Sequence, residues 1–147
     1  MRNKNGVQIL LVEDNEDDAQ LTFLALKKNK LLNNLVHVKD GEQAVNFIFS
    51  QGIYAERKTS DFPKVILLDL SMPKMGGIEV LKKLKSDERT KHIPVVILTS
   101  SGENFDLTEC YKLGANSYIV KPVIFEDFVT TIGQLGFYWF VLNEPML

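Results

Sequence analysis

The 147 residues carry 45% hydrophobic and 24% charged side chains, an ordinary balance for one globular domain with room for a sizeable core. A formal net charge of −2 leaves no basic footprint, so no nucleic-acid partner is expected. The single cysteine, Cys110, excludes an internal disulfide and suits a reducing, cytoplasmic setting; every apolar run is too short for a membrane helix, and "MRNKNGVQILLVED" makes a poor signal peptide because its short apolar run ends in acids.

Short apolar runs alternate with longer amphipathic stretches, without internal repeats or low-complexity segments. "VQILLV" (7–12) is apolar and continuous, which predicts a buried strand. "NEDDAQLTFLALKKNK" (15–30) places Ala19, Phe23 and Leu26 at helical spacing, with Asn15 as N-cap, acids in the first turn and lysines in the last. "LVHV" (35–38) reads as a second strand, and "GEQAVNFIF" (41–49) as a second helix with Ala44, Phe47 and Ile48 inward. "VILLD" (65–69) is the third strand and "GIEVLKKLKSD" (77–87) the third helix. "IPVVILTS" (93–100) is the fourth strand, and "NFDLTECYKLGA" (104–115) the fourth helix, with Gly114 suited to its C-cap. "SYIV" (117–120) is a fifth strand, and "FEDFVTTIGQLGFYWF" (125–140) a final helix. Alternation of this kind implies an α/β fold, a mostly parallel sheet covered by helices on both faces.

In such sheets ligands sit beyond the carboxyl ends of the strands, near the point where strand order reverses. The predicted strands end in chemistry: Glu13 and Asp14 after the first, Asp69 closing the third, Thr99, Ser100 and Ser101 at the fourth, Lys121 before Pro122 at the fifth. Parallel strands would gather three carboxylates, hydroxyls and one ammonium at one edge. Clustered carboxylates repel one another, and a hard divalent cation such as Mg²⁺ relieves that repulsion through oxygen ligands while keeping positions open for a phosphate. The set suits phosphoryl transfer: Asp69 as nucleophile forming an aspartyl phosphate, Lys121 neutralising charge, Thr99 donating a hydrogen bond.

The ordered motifs "LLVEDN", "ILLDLSMP" followed by "GG", "VVILTSS" and "YIVKP" resemble the receiver domain of two-component response regulators over roughly residues 8–135. The resemblance implies a flavodoxin-like, doubly wound, five-stranded parallel sheet of order 2-1-3-4-5 with five helices. It implies one receiver domain over 1–147, with 136–147 as an aromatic C-terminal extension. Asp69 resembles the phosphoacceptor. Glu13 and Asp14 resemble the acidic pair of the Mg²⁺ site, Asp14 ligating directly and Glu13 through water, with the Ser71 backbone carbonyl completing the protein's share. Thr99 resembles the switch hydroxyl, Lys121 the lysine that pairs with a phosphoryl oxygen, and Tyr118 the aromatic switch that turns inward. The peptide bond before the matching Pro122 is usually cis in this family. Closer still is the likeness to small stand-alone regulators that partner bacterial and cyanobacterial phytochrome-type histidine kinases, carried by "LVEDNEDDAQL", "SQGIYAERKTSDFPK" and the "FYWF" ending.

Other residues read more plainly. Glu16, Asp17 and Asp18 are first-turn acids that favour the helix dipole, not an extended metal site. His37 and His92 are isolated, and Cys110 is expected to be inert. "KMGG" lacks the Walker spacing and is read as a tight turn into the third helix. In "GFYWFVL" (136–142), Phe137, Tyr138, Trp139 and Phe140 are consecutive, so one helix face cannot bury them all. A homodimer or partner contact through the fifth helix and this segment is the expectation, with self-packing as the alternative.

The sequence thus reads as a stand-alone response regulator, a switch with self-catalysed phosphorylation and dephosphorylation. Too little chain follows the fifth helix for a DNA-binding domain, so the expected output is protein contact, dimer formation or onward phosphotransfer. The rivals are a degenerate receiver that binds partners without phosphorylation, and a flavodoxin-like small-molecule binder or aspartyl-phosphate hydrolase. Intact Asp69, Thr99 and Lys121 oppose the first. The acidic "EDNEDD" loop, and the absence of a recognisable cap or further substrate-binding groups, oppose the second.

Overall fold

Three strands are buried along their whole length: β1 (Ile9–Val12), β3 (Val65–Asp69) and β4 (Val95–Thr99). The computed structural model describes residues 8–27, 35–57, 62–70, 72, 75–100 and 104–134, with the backbone alone for 104–106. Strand side chains alternate between the two faces, and the burial follows that period. Leu10, Val12, Ile66, Leu68, Val95 and Ile97 join one core cluster, and Ile9, Leu11, Val65, Leu67, Val96 and Leu98 join the other. A strand covered on both sides must be apolar at every position, hence the unbroken runs in the sequence.

The flanking strands are β2 (Leu35–Val38) and β5 (Ser117–Val120). All pairings are parallel and the order is β2-β1-β3-β4-β5, the doubly wound arrangement expected. Helices α1 (Glu16–Lys27) and α5 (Phe125–Gln134) cover one face through Ala19, Leu26, Phe128 and Ile132. On the other lie α2 (Gly41–Ile48), α3 (Gly77–Lys85) and α4 (Asn104–Lys112), contributing Ala44, Phe47, Ile48, Val80, Leu81, Leu84 and Cys110. Apolar helix side chains therefore cover both faces of the sheet. No described helix is long and apolar enough to cross a membrane.

Local signals behave as their chemistry dictates. Asn15 caps α1: its Oδ1 accepts the Asp18 N–H at 2.8 Å. Asp40 caps α2 through its Oδ1, which accepts the Gln43 N–H at 2.8 Å. Gly114 adopts φ +109°, a conformation open to glycine beyond the end of α4. Several boundaries are tighter than the sequence reading: α2 ends at Ile48, α3 at Lys85 and α4 at Lys112. β4 begins at Val95 rather than Ile93, because the Ile93 N–H turns back to the Thr90 carbonyl and Pro94 has no N–H to give a ladder. The described part of the final helix ends at Gln134, and Phe137, Tyr138, Trp139 and Phe140 lie outside the described residues.

Candidate functional site

Strand register brings the polar strand ends level. Val12 pairs with Leu68, so Glu13 stands beside Asp69; Asp69 pairs with Leu98, and Thr99 with Val120, so Lys121 follows at the same edge. Two backbone bonds prolong the alignment: the Glu13 N–H donates to the Val38 carbonyl at 3.1 Å, and the Lys121 N–H to the Thr99 carbonyl at 2.8 Å. The edge lies next to the β1–β3 boundary, where the chain changes its direction of winding and where doubly wound sheets take their ligands.

Glu13 and Asp69 are buried there, and Asp14 is exposed. One carboxylate oxygen from each lies within 4.8 Å of the others. Lys121 projects into the group. Its Nζ donates to Asp18 Oδ2 at 3.0 Å, to Asp69 Oδ1 at 3.3 Å and to Glu13 Oε1 at 3.4 Å. An ammonium has three N–H donors and no acceptor, so one carboxylate faces each donor.

Burial pushes the Asp69 carboxyl up to about 7; the Glu13 charge adds to the rise and Lys121 opposes it. Glu13 is also raised, by burial first, against the pull of Lys121. Burial alone would lower Lys121, but the Asp18 hydrogen bond and the charges of Asp69 and Glu13 carry it above the ordinary lysine value. One cation does not offset this much acid. The donor set of close carboxylates, two of them desolvated, fits a hard, oxygen-seeking divalent cation. The Ser71 carbonyl, expected as a further ligand, lies outside the described residues.

The other expected residues take distinct positions. Thr99 is buried, and its hydroxyl donates to the Ser100 carbonyl at 3.0 Å. Tyr118 is exposed on β5 and meets Tyr111 edge-on, ring centroids 6.5 Å apart. The Lys121–Pro122 bond is cis. The glycine pair opens α3, and a Cβ on Gly77 would strike the Asp69 carbonyl oxygen. The tight-turn reading of "KMGG" therefore has a concrete cause: α3 starts against the backbone of the central acid.

Sequence reasoning missed two contacts. Asp18, read as a dipole-favouring acid, is not in the metal-type cluster, but it pairs with Lys121 across 103 positions of chain. Its signal was its place in the first turn of a helix that begins at this same edge. His37 is not a bystander either: its Nε2 lies 2.8 Å from the Glu13 carbonyl oxygen and its ring stands edge-on to Phe23. It fastens the backbone of the acidic pair to β2.

Residues 9–133 match the response regulator receiver domain, and the chain belongs to that family. Among solved structures it is similar to the bacteriophytochrome response regulator RtBRR: 47% identity, TM-score 0.84, covering 95% of this chain and 84% of that one. It is 37% identical over 131 residues to the response regulator Rcp1 of Synechocystis sp. (strain ATCC 27184 / PCC 6803 / Kazusa), covering 89% of this chain and 87% of Rcp1. The Mn²⁺-bound form of an Rcp1 superposes at TM-score 0.74 with 33% identity, covering 96% of this chain and 99% of that one. The probable methanogenesis regulatory protein FilR2 of Methanothrix harundinacea (strain 6Ac) is 37% identical over 136 residues, covering 92% of this chain and 85% of FilR2.

Proposed function

We propose that this chain is a stand-alone response regulator that accepts a phosphoryl group on Asp69 from a histidine kinase of the phytochrome type and uses it to switch protein contacts. The observation that carries the reading is a buried carboxylate, Asp69, held between two further acids and the Lys121 ammonium at the carboxyl edge of a parallel sheet. The phytochrome pairing draws support from the bacteriophytochrome regulator it resembles.

Asp69 is the nucleophile. One of its oxygens forms the O–P bond as the P–N bond to the donor's imidazole breaks, and the electron pair of that bond leaves with the nitrogen. Mg²⁺ held by Glu13, Asp14 and Asp69, with the Ser71 carbonyl as a further ligand, would supply charge neutralisation to the phosphoryl oxygens. Lys121 stands within reach of Asp69 and neutralises negative charge on the product. The Thr99 hydroxyl leaves the Ser100 carbonyl for a phosphoryl oxygen, and Tyr118 turns inward from its exposed place. The surface that changes includes Tyr111, Tyr118, Val120 and Ile124, large apolar side chains exposed along β5 and its neighbours. A changed contact there, or a homodimer involving α5 and Phe137, Tyr138, Trp139 and Phe140, is the output. The molecule is a cytoplasmic switch that catalyses its own phosphorylation and dephosphorylation rather than a metabolic enzyme, and residues 1–147 act as one receiver unit.

Intact mass after incubation with acetyl phosphate tests this. A Mg²⁺-dependent phosphoryl adduct on the native chain, absent with chelator and absent from Asp69→Asn, is the expected result. The substitution keeps the side chain's shape and deletes its nucleophilic charge, so the fold remains. An adduct that persists in Asp69→Asn would overturn the assignment. No adduct together with no Mg²⁺ binding would favour a receiver that works without phosphorylation.

A further inference from the structure

Of the three carboxylates around Lys121, Asp18 makes the shortest contact, 3.0 Å, against 3.3 Å for Asp69 and 3.4 Å for Glu13. It is also the one in touch with water: its side chain is 31% exposed, against 5% for Asp69 and 0% for Glu13. We infer that Asp18 is a positioning residue, a latch that occupies one N–H of Lys121 and must yield it before the lysine can take a phosphoryl oxygen. The inference rests on the aspartyl-phosphate reading above.

The three N–H donors of Lys121 already face three acids. A phosphoryl oxygen arriving on Asp69 can therefore gain a donor only by exchange. Glu13 is a poor partner to give up, because its carboxylate is fully buried and water does not reach it to replace the ammonium. Asp69 is the group being modified and stays beside the lysine. Asp18 can be released at least cost. Water reaches its carboxylate, and it sits in the first turn of α1, where the free N–H groups of the helix favour negative charge. Its backbone does not depend on the side chain: the Asp18 N–H is held by Asn15 Oδ1, and the Asp18 carbonyl accepts the Thr22 hydroxyl at 3.1 Å. The latch can open without disturbing the start of α1.

Removing the charge of Asp18 should therefore favour the phosphoryl-bound state. The probe is beryllofluoride, a tetrahedral anion of phosphoryl shape, titrated calorimetrically with Mg²⁺ into the full chain. Asp18→Asn keeps the shape and the backbone bonds, and a circular dichroism melt checks that the fold stands. We expect it to bind about twofold to fivefold tighter than the native chain, the size of a part-exposed ion pair, and Asp18→Glu to return toward native affinity. Asp17→Asn removes the same charge from the same turn, from an exposed residue, and should leave affinity near native. Weaker or unchanged binding in Asp18→Asn would overturn the latch. An equal gain in Asp17→Asn would overturn it in favour of overall charge. Failure of the native chain to bind beryllofluoride with Mg²⁺ would sink the aspartyl-phosphate reading itself, an outcome distinct from the others because it needs no variant.

Discussion

Asp69 Oδ1 and Lys121 Nζ lie 3.3 Å apart although β4 runs between the strands that carry them. The lysine reaches over the end of β4 to the acid on β3, and it is the cation that makes two buried carboxylates tolerable there. Lys121→Ala should therefore cost about 2–4 kcal/mol in a metal-free protein near neutral pH, because it leaves desolvated acids without a partner. Urea unfolding in chelator measures this. Adding Asp69→Asn to Lys121→Ala should recover part of the loss, since it removes one of the orphaned charges. A double variant no more stable than Lys121→Ala would show that the pairing contributes little. On the proposed function, Lys121→Ala should also uncouple phosphorylation from the switch, and an unchanged phospho-dependent response would count against that role.

The raised Asp69 carboxyl ties stability to pH. Its folded value of about 7 stands above the ordinary 3.8, so the folded chain holds this proton more tightly than the unfolded one. Between those values the folded state carries more bound protons, and stability must fall as pH rises. The contribution is fully present below about pH 4 and is lost as pH climbs through 7, an effect on the order of a few kcal/mol shared with Glu13. Denaturant midpoints across that range in chelator should show the decline. Asp69→Asn should flatten it, and Mg²⁺ should restore stability at the upper end by binding the ionised acids. A native midpoint that rises from pH 4 to 7 in chelator would contradict this account.

The fold was legible because a two-sided sheet leaves a plain trace. Val65 to Leu68 and Val95 to Leu98 are buried on both faces, so they could only be apolar runs, and the helices between them carry their own period. The clustering of Glu13, Asp14, Asp69, Thr99 and Lys121 followed from parallel strands alone. Asp18 escaped because local chemistry already explained it: an acid in a first helical turn needs no further partner. Only the meeting of the α1 start with the β5 end, fixed by the whole sheet, reveals the pair. Arg57 escaped for a related reason. Its guanidinium lies 4.0 Å over the Phe47 ring while its Nε donates to the Phe47 carbonyl at 2.9 Å, binding the segment after α2 to that helix's end. No spacing rule links a polar loop to a carbonyl ten residues back.

The α2 cap offers a local control, well apart in sequence from the acidic edge. Asp40 accepts the Gln43 N–H, and the Gln43 side chain in turn accepts the Lys39 N–H at 2.9 Å, so the two residues close the helix start reciprocally. Asp40→Ala should cost about 1 kcal/mol and leave Mg²⁺ affinity unchanged. Paired urea and Mg²⁺ titrations would separate the effects. A large loss of Mg²⁺ affinity would mean that the α2 start is coupled to the strand ends.

Adjacent glycines at the start of α3 should answer differently to the same substitution. A Cβ on Gly77 would collide with the Asp69 carbonyl oxygen and come within 2.8 Å of Leu70 Cα, both backbone atoms of the central strand end. Neither can swing aside as a side chain would, so Gly77→Ala must push α3 away from β3 or move the Asp69 peptide. The expected cost is about 1–3 kcal/mol, accompanied by weaker Mg²⁺ binding because the displaced backbone carries the acid with it. A Cβ on Gly76 meets nothing nearer than the Leu70 carbonyl oxygen at 3.9 Å, and its φ of −75° suits any residue. Gly76→Ala should therefore shift stability by less than about 1 kcal/mol and leave Mg²⁺ binding intact. Equal losses in the two variants would show that the turn demands glycine flexibility at both positions, rather than bare space against Asp69 at one.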